Sequence, residues 1–324
     1  MTSIVASITV KGLFKYLLTR AKLRFLPRTL LFVPKTIKIN GRNIKINAFD
    51  LEQKYLAFDC IREPENYLVY KAIAKAKLVN TFIDIGANCG HVSLPITNDY
   101  KKLFLIEPNP NLASILKLLF SNKRHVHVID YAVVGKKRKG FVTLNVPKSS
   151  SGLATLGNFL LKDEKDFDLF KVKATTLSKL FNKKIFTSAY IKIDVEGLEK
   201  YIIESSSSVF EEHRPIVGFE SLSSTLADEC MKQFKQYNFY CARFDFLENG
   251  GALSRSFFGI FYALLFGAKI EIIKSSKNRN FNLENFSQIY AVPIEKSKKF
   301  EFAIQKYFSG LKFIHLARIK AWKT

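Results

Sequence analysis

The sequence predicts an α/β fold built on a mostly parallel sheet, and three observations lead to this prediction. Short apolar runs alternate with segments of helical periodicity from about residue 63 to residue 294. A glycine-bearing turn, residues 86–90, follows the first core run. Four of the runs end on an acidic residue, and the carboxyl ends of parallel strands meet at one edge of a sheet. That edge is therefore where we expect a ligand.

Composition limits the partners of the chain. Its 324 residues, 48% of them hydrophobic, suffice for one large domain with extensions or for two small ones. A formal net charge of +23 implies an acidic partner, which could be nucleic acid, an anionic membrane face or a phosphorylated substrate. The four cysteines form no metal-binding pattern with the five histidines, which favours reduced thiols and a cytoplasmic protein.

No membrane-spanning or cleavable segment is expected from the sequence. Lys11 and Lys15 interrupt the apolar start, so a cleavable signal is not predicted. The most apolar later run, Phe257 to Ala268, is too short to span a bilayer and is typical of a buried helix or an interfacial segment.

The chain divides into three parts by its patterns. The first part should hold a basic amphipathic helix, Val10 to Leu26, and a hairpin whose strands flank Asn40-Gly41. The last part mixes lysine and arginine with apolar residues at helical spacing. The predicted bounds are 1–50 for the extension, 51–294 for the main domain with an apolar insert near 250–285, and 295–324 for the basic helical tail.

Inside the main domain, strand and helix signals follow one another in order. The first strand, Phe82 to Ile85, is uniformly apolar apart from one aspartate, as a strand buried on both faces should be. A helix led by Glu63-Pro64-Glu65 precedes it. Further strands are expected at 103–106, 126–129, 141–144, 190–193, 215–219, 237–246 and 288–294, and helices at 67–77, 91–100, 111–120 and 198–206.

The turn after the first strand suits an adenosine ligand that carries no pyrophosphate. Gly86 and Gly90 let the backbone approach a ligand, but Asn88 stands where a dinucleotide fingerprint has its second glycine. The usual pyrophosphate cradle is therefore absent or poor. S-adenosylmethionine fits better, because Glu107 can accept both ribose hydroxyls while Asp84 and Asn88 meet its amino and carboxylate ends. The alternative is an ordinary tight turn.

The acids that end four strands are Glu107, Asp130, Asp194 and Glu220. Burying a row of carboxylates at one sheet edge is costly unless a ligand uses them. Asp130 could accept a hydrogen bond from the adenine amino group, or it could cap a helix or turn. Both interpretations of Asp130 stay open at this point.

Three motifs resemble the FkbM-type S-adenosylmethionine-dependent methyltransferases. They are IDIGANCG at 83–90, IEPNP at 106–110 and IKIDVEGLE at 191–199, and the resemblance runs from roughly Glu63 to Pro293. It implies a class I methyltransferase sheet with a reversed last strand and, typically, O-methylation of sugars or natural products. The candidate cofactor-binding residues are Asp84, Gly86, Ala87, Asn88, Gly90, Glu107, Pro108, Asp130 and Tyr131.

Methyl transfer to a hydroxyl needs the acceptor oxygen in line with the methyl group and profits from a general base. Asp194 is predicted to be that base or to orient the acceptor, with Glu196 or Glu220 in support. His213 is an outside candidate, since a lone histidine near a turn is more often structural. Asp194 and Glu220 could instead hold a divalent ion such as magnesium.

The acceptor has competing interpretations. A glycan or small-molecule hydroxyl is the first, and nucleic acid is the alternative that the charge favours. Base methyltransferases usually carry an Asn- or Asp-Pro-Pro-aromatic block after the fourth strand, and residues 194–197 here are DVEG. A third interpretation is a basic membrane-surface adaptor with a degenerate fold, and the full set of strand-end acids argues against it. The basic ends could lie on an anionic membrane at its inner face, or pack on the core.

Overall fold

The computed structural model describes residues 3–8, 36–39, 42–47, 50–57, 63–136, 140–148, 151–156, 167–221, 223–245, 268–275 and 288–309. Within these ranges the strands are β1 (Ser3–Ile8), β2 (Thr36–Ile39), β3 (Arg42–Lys45), β4 (Thr81–Ile85), β5 (Lys102–Ile106), β6 (Val126–Ile129), β7 (Ala132–Val133), β8 (Gly140–Pro147), β9 (Phe167–Thr175), β10 (Ala189–Ile193), β11 (Ile216–Phe219), β12 (Tyr237–Asp245), β13 (Ala268–Lys274) and β14 (Ile289–Pro293).

Seven α-helices lie in the same ranges, together with three short 3₁₀ segments at Leu94–Asp99, Ser151–Leu153 and Lys183–Ser188. None of these described helices is long and apolar enough to cross a membrane. The helices are α1 (Leu51–Ala57), α2 (Pro64–Lys75), α3 (Pro110–Leu119), α4 (Leu177–Leu180), α5 (Glu199–His213), α6 (Ser224–Met231) and α7 (Ile294–Ser309).

One sheet of nine described strands organises the molecule, in the order β1-β13-β12-β14-β11-β10-β4-β5-β6. The strands from β11 to β6 in that order pair in parallel. The last strand of the chain, β14, pairs antiparallel with both β11 and β12. The predicted class I methyltransferase sheet with a reversed last strand is thus confirmed, and the carboxyl ends of five parallel strands share one edge.

The central strands form because their side chains are apolar on both faces, apart from Asp84 in β4 and Lys192 in β10. All five residues of β10 are buried, and Tyr190 packs into one core cluster while Ile191 packs into the other, on the opposite face. The same alternation places Phe82 and Ile83 of β4 in different clusters. A strand buried in this way is held rigidly, so the polar residues at its carboxyl end start from a fixed position.

The helix expected at 91–100 is instead a turn followed by a 3₁₀ segment, Leu94–Asp99. Pro95 in this segment lacks a backbone N–H. Thr97 donates its hydroxyl hydrogen to the carbonyls of Ser93 and Leu94 at 3.0 and 2.9 Å, which competes with regular helical bonding. The segment therefore stays short, and the prediction of an α-helix at 91–100 is wrong.

Several strands lie outside the sequence-based assignment. β1 pairs antiparallel with β13, and β13 with β12, so two strands widen the sheet beyond the methyltransferase core. β7 and β9 form a separate three-stranded sheet with β8, the strand expected at 141–144. The expected hairpin is present as antiparallel β2 and β3. The predicted helix at 10–26, most of the apolar insert and the tail beyond 309 lie outside the described residues.

Candidate functional site

A cavity opens at the carboxyl edge of the parallel strands, where the sequence predicts a ligand. The space enclosed by its lining residues is about 700 Å³ when the open mouth is counted. It is lined by Ile85, Gly86, Asn88, His91, Ile106, Glu107, Pro108, Tyr131, Val133, Leu144, Ser151, Gly152, Ala154, Leu156, Asp194, Val195, Glu196 and Leu198.

The turn after β4 is held against its two neighbouring strands. Gly86 and Ala87 donate their backbone N–H groups to the Ile106 carbonyl at 3.0 and 3.1 Å. Gly86 has a φ of +84°, and a Cβ there would stand 1.8 Å from the carbonyl oxygen of Asp194. Glycine is required at this position because the end of β10 approaches so closely. The resulting contact brings the β4 turn and the Asp194 loop together on one side of the cavity.

Glu107 lines the cavity at the end of β5, and both of its carboxylate oxygens accept backbone hydrogen bonds. Oε2 accepts from the Asn88 N–H at 2.8 Å, and Oε1 accepts from the Asn109 N–H at 2.8 Å. Each oxygen keeps a second lone pair, so the group can still accept from a ligand. Burial raises the pKa of Glu107 to about 7, against the two backbone hydrogen bonds that lower it.

A buried ammonium lies beneath the cavity between two carboxylates. The Nζ atom of Lys192 donates to Asp194 Oδ2 at 2.6 Å and lies 3.8 Å from Asp84 Oδ1. Burial alone lowers the pKa of Lys192, but the charges of Asp194 and Asp84 outweigh it and raise that pKa above its ordinary value. Burial raises the pKa of Asp84, and Lys192 opposes this shift. Lys192 is therefore a cation that holds Asp194 in place.

Asp84 is fully buried and faces this ion pair rather than the cavity. Its Oδ2 accepts the Ser93 hydroxyl at 2.5 Å. Its Oδ1 has no hydrogen-bond partner within the described part of the chain. Asp84 is not among the residues that line the cavity, so its predicted contact with the amino end of a cofactor stays a prediction.

A second carboxylate organises the loop that follows β10. Glu199, at the start of α5, accepts the N–H groups of Val195 and Gly197 at 2.9 and 3.0 Å. Glu196 between them has a φ of +51°, in the left-handed region. The side chain of Glu199 therefore holds a strained turn that sets Asp194 and Glu196 on the cavity wall.

Residues 151–156 form another wall and tie it to the turn after β4. Ser151 donates its hydroxyl hydrogen to Asn88 Oδ1 at 3.3 Å, and Thr155 donates to the Glu196 carbonyl at 3.3 Å. Asp50 accepts the Ser151 N–H at 3.1 Å and also caps the first turn of α1, through the Glu52 N–H at 2.9 Å. The cavity thus closes with a contribution from the N-terminal part of the chain.

His91 lines the cavity beside a buried carboxylate that also comes from α1. Its Nδ1 lies 3.6 Å from Glu52 Oε2 and 3.9 Å from the Cys89 sulfur. The side chains of His91 and Glu52 are 10% and 2% exposed, so the pair is shielded from solvent but open to the cavity. Gly152 packs on Glu52, since a Cβ at that position would stand 3.1 Å from the Glu52 side chain.

Of the predicted catalytic and cofactor-binding residues, seven line the cavity and five do not. Those that line it are Gly86, Asn88, Glu107, Pro108, Tyr131, Asp194 and Glu196, and those that do not are Asp84, Ala87, Gly90, Asp130 and Glu220.

The residues outside the cavity have other contacts. Ala87 is buried in the core, and Gly90 packs on α3, where a Cβ would stand 2.8 Å from Leu116. Asp130 is 57% exposed and pairs with Lys117, whose hydrogen bond lowers the pKa of the Asp130 carboxyl. Glu220 lies at the same sheet edge and helps to raise the pKa of Lys192.

His213, the outside catalytic candidate, ends α5 away from the cavity. Its ring lies 6.3 Å from that of Phe186, and it pairs with Glu212 at 3.5 Å. The structural interpretation of His213 therefore fits its surroundings.

Sequence reasoning missed Lys192, Glu199, His91 and Glu52. Lys192 and Glu199 stand inside the quoted IKIDVEGLE motif. A lysine in an otherwise apolar strand is the signal that could have identified Lys192 as a buried charge. Glu199 follows Gly197 at a helix start, a spacing typical of a capping carboxylate. No local pattern joins Glu52 to His91, because 39 positions separate them and tertiary packing alone brings them together.

The donor set of the cavity fits S-adenosylmethionine. The three carboxylates of Glu107, Asp194 and Glu196 face a space that would receive a sulfonium and an ammonium group. Tyr131 and Leu156, with other apolar residues, offer the apolar end that an adenine needs. Within the described ranges no group of three or more His, Cys, Asp or Glu side chains is placed to hold a metal ion.

The comparisons with known proteins give a family for the central part of the chain. Residues 84–247, just over half of the chain, match the sequence profile described as the Methyltransferase FkbM domain. No curated protein sequence matches the chain.

Solved structures similar in fold include three methyltransferases. Methyltransferase FkbM from Methylobacillus flagellatus KT is 13% identical with a TM-score of 0.37, covering 66% of this chain and 44% of that one. The chain thus spans less than half of that protein. Precorrin-6y C5,15-methyltransferase from Geobacter metallireducens GS-15 is 12% identical with a TM-score of 0.31, covering 69% and 86%.

The third similar structure is tRNA (m1A58) methyltransferase TrmI from Aquifex aeolicus, 10% identical with a TM-score of 0.33, covering 80% and 81%. Similarities this low say nothing about a substrate. The match over residues 84–247 decides the family, and it contains the strand, turn and acidic loop that form most of the cavity. The chain belongs to the FkbM family of S-adenosylmethionine-dependent methyltransferases.

Proposed function

We propose that this chain methylates a hydroxyl group of a sugar or glycan with S-adenosylmethionine as methyl donor. The observation that carries the proposal is that carboxylates from two different strand ends line one cavity. Glu107, at the end of β5, suits a ribose, while Asp194 and Glu196, at the end of β10, are left for the acceptor. Carboxylates accept hydrogen bonds from hydroxyl groups, as sugar-binding sites require.

The cofactor end of the cavity would be formed by the β4 turn and the end of β5. Glu107 would accept the ribose hydroxyls, and Tyr131 and Leu156 would enclose the adenine. Asn88 would face the methionine end, where its backbone N–H is already held by Glu107. When bound, the cofactor supplies an activated methyl group, so the protein needs chiefly to position an oxygen against it.

Asp194 is better suited to orienting the acceptor than to taking its proton. The hydrogen bond of 2.6 Å from Lys192 stabilises the ionised carboxylate and so makes it a weaker base. A fixed carboxylate still accepts a hydrogen bond from the acceptor hydroxyl and holds the oxygen in position. Glu196 would support it from the same loop, and Glu220 would contribute through its charge near Lys192.

The loop after β10 also favours a hydroxyl over a nucleobase. Residues 194–197 carry neither a proline nor an aromatic residue, so this loop offers no ring on which a base could stack. Nucleic-acid methylation is the second candidate, and the net charge of +23 is the observation that favours it. The cavity itself is lined by three acids, so that charge is carried elsewhere on the molecule.

We also propose a cytoplasmic enzyme that contacts an anionic membrane peripherally. The apolar face of α7 packs on the core through Phe300, Ile304 and Phe308. Its outer face keeps Lys298 exposed, and Phe302 is 64% exposed. A helix of this kind can be both core element and membrane contact. Protein that floats with anionic vesicles at low salt, but not with neutral ones, would support the membrane contact.

A methyl-transfer screen tests the proposed reaction. The purified chain would be given S-adenosylmethionine labelled in the methyl group together with cell-envelope glycans, nucleotide sugars or total RNA. Label entering a glycan or nucleotide sugar, and lost in Asp194→Asn, supports O-methylation of a sugar. Label entering RNA alone would replace the proposal with the second candidate.

A further inference from the structure

A groove between α2 and α7 takes no part in the proposed methyl transfer. The space between its lining residues is about 1470 Å³ when the open mouth is counted, against about 700 Å³ for the cavity at the strand ends. The two share no lining residue. Among the described residues that line the groove there are lysines and apolar or aromatic residues, but no carboxylate. Its chemistry is therefore opposite to that of the acid-lined cavity.

The apolar part of the groove comes from both helices and from the residues that follow α2. Ala72 of α2 and Ala303 of α7 are buried, and Leu78 is half-buried. Such small side chains leave space between the helices that larger residues would fill. Phe302 lines the same groove and is 64% exposed. Covering this ring and the space beside it with apolar material would be favourable.

Four lysines line the groove, and none of them pairs with an acid within the described part of the chain. They are Lys75 of α2 and Lys298, Lys299 and Lys306 of α7. Acids on neighbouring elements are already engaged, since Glu301 pairs with Lys274 at 2.9 Å and Asp99 pairs with Lys71 at 2.8 Å. The groove therefore carries a positive charge that an anionic partner would neutralise.

The spacing along α7 places positive charge and the exposed ring side by side. Lys298, Phe302 and Lys306 recur every four residues, so they follow one stripe of the helix. Lysine side chains can lay their apolar stems along a lipid surface while the ammonium groups reach the level of the phosphates. A stripe of this kind is typical of helices that lie in the interface of an anionic membrane.

We propose that the groove between α2 and α7 docks the protein on a membrane by binding an anionic phospholipid, an inference that rests on the peripheral membrane contact proposed above. The ammonium groups of Lys298 and Lys306 pair with the head-group phosphate, and Phe302 enters the acyl region. Charge complementarity selects this occupant. The lysines attract an anion, and the apolar part of the groove favours an anion that carries an acyl chain.

Two other occupants fit the groove less well. Residues 310–324, which follow α7 in the chain, carry four lysine or arginine side chains and no acidic one, so the lysines of the groove would repel them. A nucleic-acid strand would meet the same lysines, but single strands are usually bound on several exposed aromatic rings. The Lys75 ammonium lies 5.1 Å from the centre of the Tyr307 ring, so Phe302 is the exposed ring that remains in the groove.

An introduced tryptophan tests the groove directly. Trp322 is the one tryptophan of the sequence, so Phe302→Trp in a Trp322→Phe background places a single fluorophore in the groove. Phe302 is exposed, so its replacement leaves the core packing of α7 intact. The protein would be mixed with vesicles of equal parts phosphatidylglycerol and phosphatidylcholine, and with vesicles of phosphatidylcholine alone. We expect the emission to shift to the blue, and brominated acyl chains to quench it, with the anionic vesicles only.

A matched pair of double variants tests the lysines in the otherwise unchanged chain. Lys298→Gln with Lys306→Gln should weaken vesicle binding by roughly 25-fold, about fivefold for each lysine near an anionic surface. The control, Lys184→Gln with Lys232→Gln, removes the same charge from exposed positions on the other face of the sheet. It should stay within about threefold of the wild type, because charges far from the membrane are screened by salt.

The outcomes distinguish the groove from the membrane contact and from methyl transfer. Unshifted emission from protein that floats with the anionic vesicles would refute the groove and leave the membrane contact standing, as would equal losses of vesicle binding in the two double variants. Wild-type protein that does not float with anionic vesicles at low salt would overturn both. Binding of total RNA that Lys298→Gln with Lys306→Gln abolishes, without any vesicle binding, would replace the lipid with nucleic acid. S-adenosylhomocysteine affinity should match the wild type in every variant, so the methyl-transfer site is judged separately.

Discussion

The ammonium of Lys192 donates a hydrogen bond of 2.6 Å to Asp194, two residues later at the carboxyl end of β10. Residues two apart in a strand share a face, so one buried lysine can support an aspartate that reaches the cavity. The same ammonium lies 3.8 Å from Asp84 at the end of β4. The cavity edge of the sheet therefore depends on a cation that is itself buried.

Lys192→Met should destabilise the protein by about 3–5 kcal/mol, because it leaves the buried carboxylate of Asp84 without its neighbouring cation. The deficit should be greatest at neutral and higher pH. The folded-state pKa of Asp84 is already raised by burial and would rise further, so low pH relieves the deficit by protonating the group. Urea unfolding at several pH values measures this.

A surface lysine gives the matched control for this substitution. Lys183 pairs with Glu212 at 3.1 Å, with both side chains more than half exposed. Lys183→Met should change stability by less than about 1 kcal/mol. The double variant Asp84→Asn, Lys192→Met should recover part of the loss. Equal effects of the two lysine substitutions would show that Lys192 is not an essential buried charge.

Glu107 should make cofactor affinity depend on pH. Its folded-state pKa is about 7, and the ionised carboxylate is the form that accepts both ribose hydroxyls. S-adenosylhomocysteine should bind with micromolar affinity at pH 8 and roughly tenfold more weakly at pH 6, where the carboxyl must lose a proton on binding. Rising pH thus strengthens cofactor binding, but it lowers the stability of the free protein. Stability falls as pH rises from the ordinary value of 4.5 to about 7, since folding disfavours the charged form.

Glu107→Ala separates this effect from other titrations. It should lose about 1.5–3 kcal/mol of binding free energy and flatten the pH dependence, because hydrogen bonds to a charged group disappear. Calorimetry at pH 6 and pH 8 measures both. Glu212→Ala, an exposed glutamate far from the cavity, should behave as the wild type. Unchanged affinity in Glu107→Ala would place the ribose elsewhere.

Asp194→Asn should keep the fold and most of the cofactor affinity. It removes the charge that pairs with Lys192 and weakens the group that accepts the hydrogen bond of the substrate hydroxyl. Turnover should fall by about 10²-fold, the loss expected when a reacting oxygen is held slightly out of position. Single-turnover methyl transfer measures the effect. Near-normal turnover would move the orienting role to Glu196.

Glu199→Ala should loosen the loop that carries Asp194 and Glu196. The substitution leaves the N–H groups of Val195 and Gly197 without their acceptor, which costs about 1–3 kcal/mol. Turnover should fall as well, because the left-handed turn at Glu196 loses its support. Glu204→Ala, on the same helix but half exposed, should stay within about 0.5 kcal/mol of the wild type. Equal losses of stability in Glu199→Ala and Glu204→Ala would show that Glu199 does not anchor the loop.

Much of the sheet could be predicted because its strands are locally distinctive. Runs that are apolar apart from one charged residue, such as β4 and β10, admit few alternatives, and the glycine turn after β4 located the cavity edge. β1 and β13 were missed, since their pairing with each other depends on contacts across more than 250 residues rather than on any local pattern.

The site was predictable where one strand end carries the chemistry, and not where two distant segments meet. Glu107 and Asp194 follow their strands directly and reach the cavity. Asp130 follows a strand in the same way, yet it turns outward to Lys117, because an edge strand leaves its end open to solvent. Glu52 comes from a helix outside the family match, and tertiary packing alone reveals it.

The central claim is that the cavity transfers a methyl group to a hydroxyl oxygen of a sugar. The most direct measurement is to identify the methylated atom by NMR and mass spectrometry, with S-adenosylmethionine carrying a ¹³C methyl group and the glycan and RNA pools offered together. The account predicts a ¹³C methyl ether on a sugar, absent from the Asp194→Asn reaction. A methyl group on a nucleobase nitrogen, with no ether formed, would contradict it.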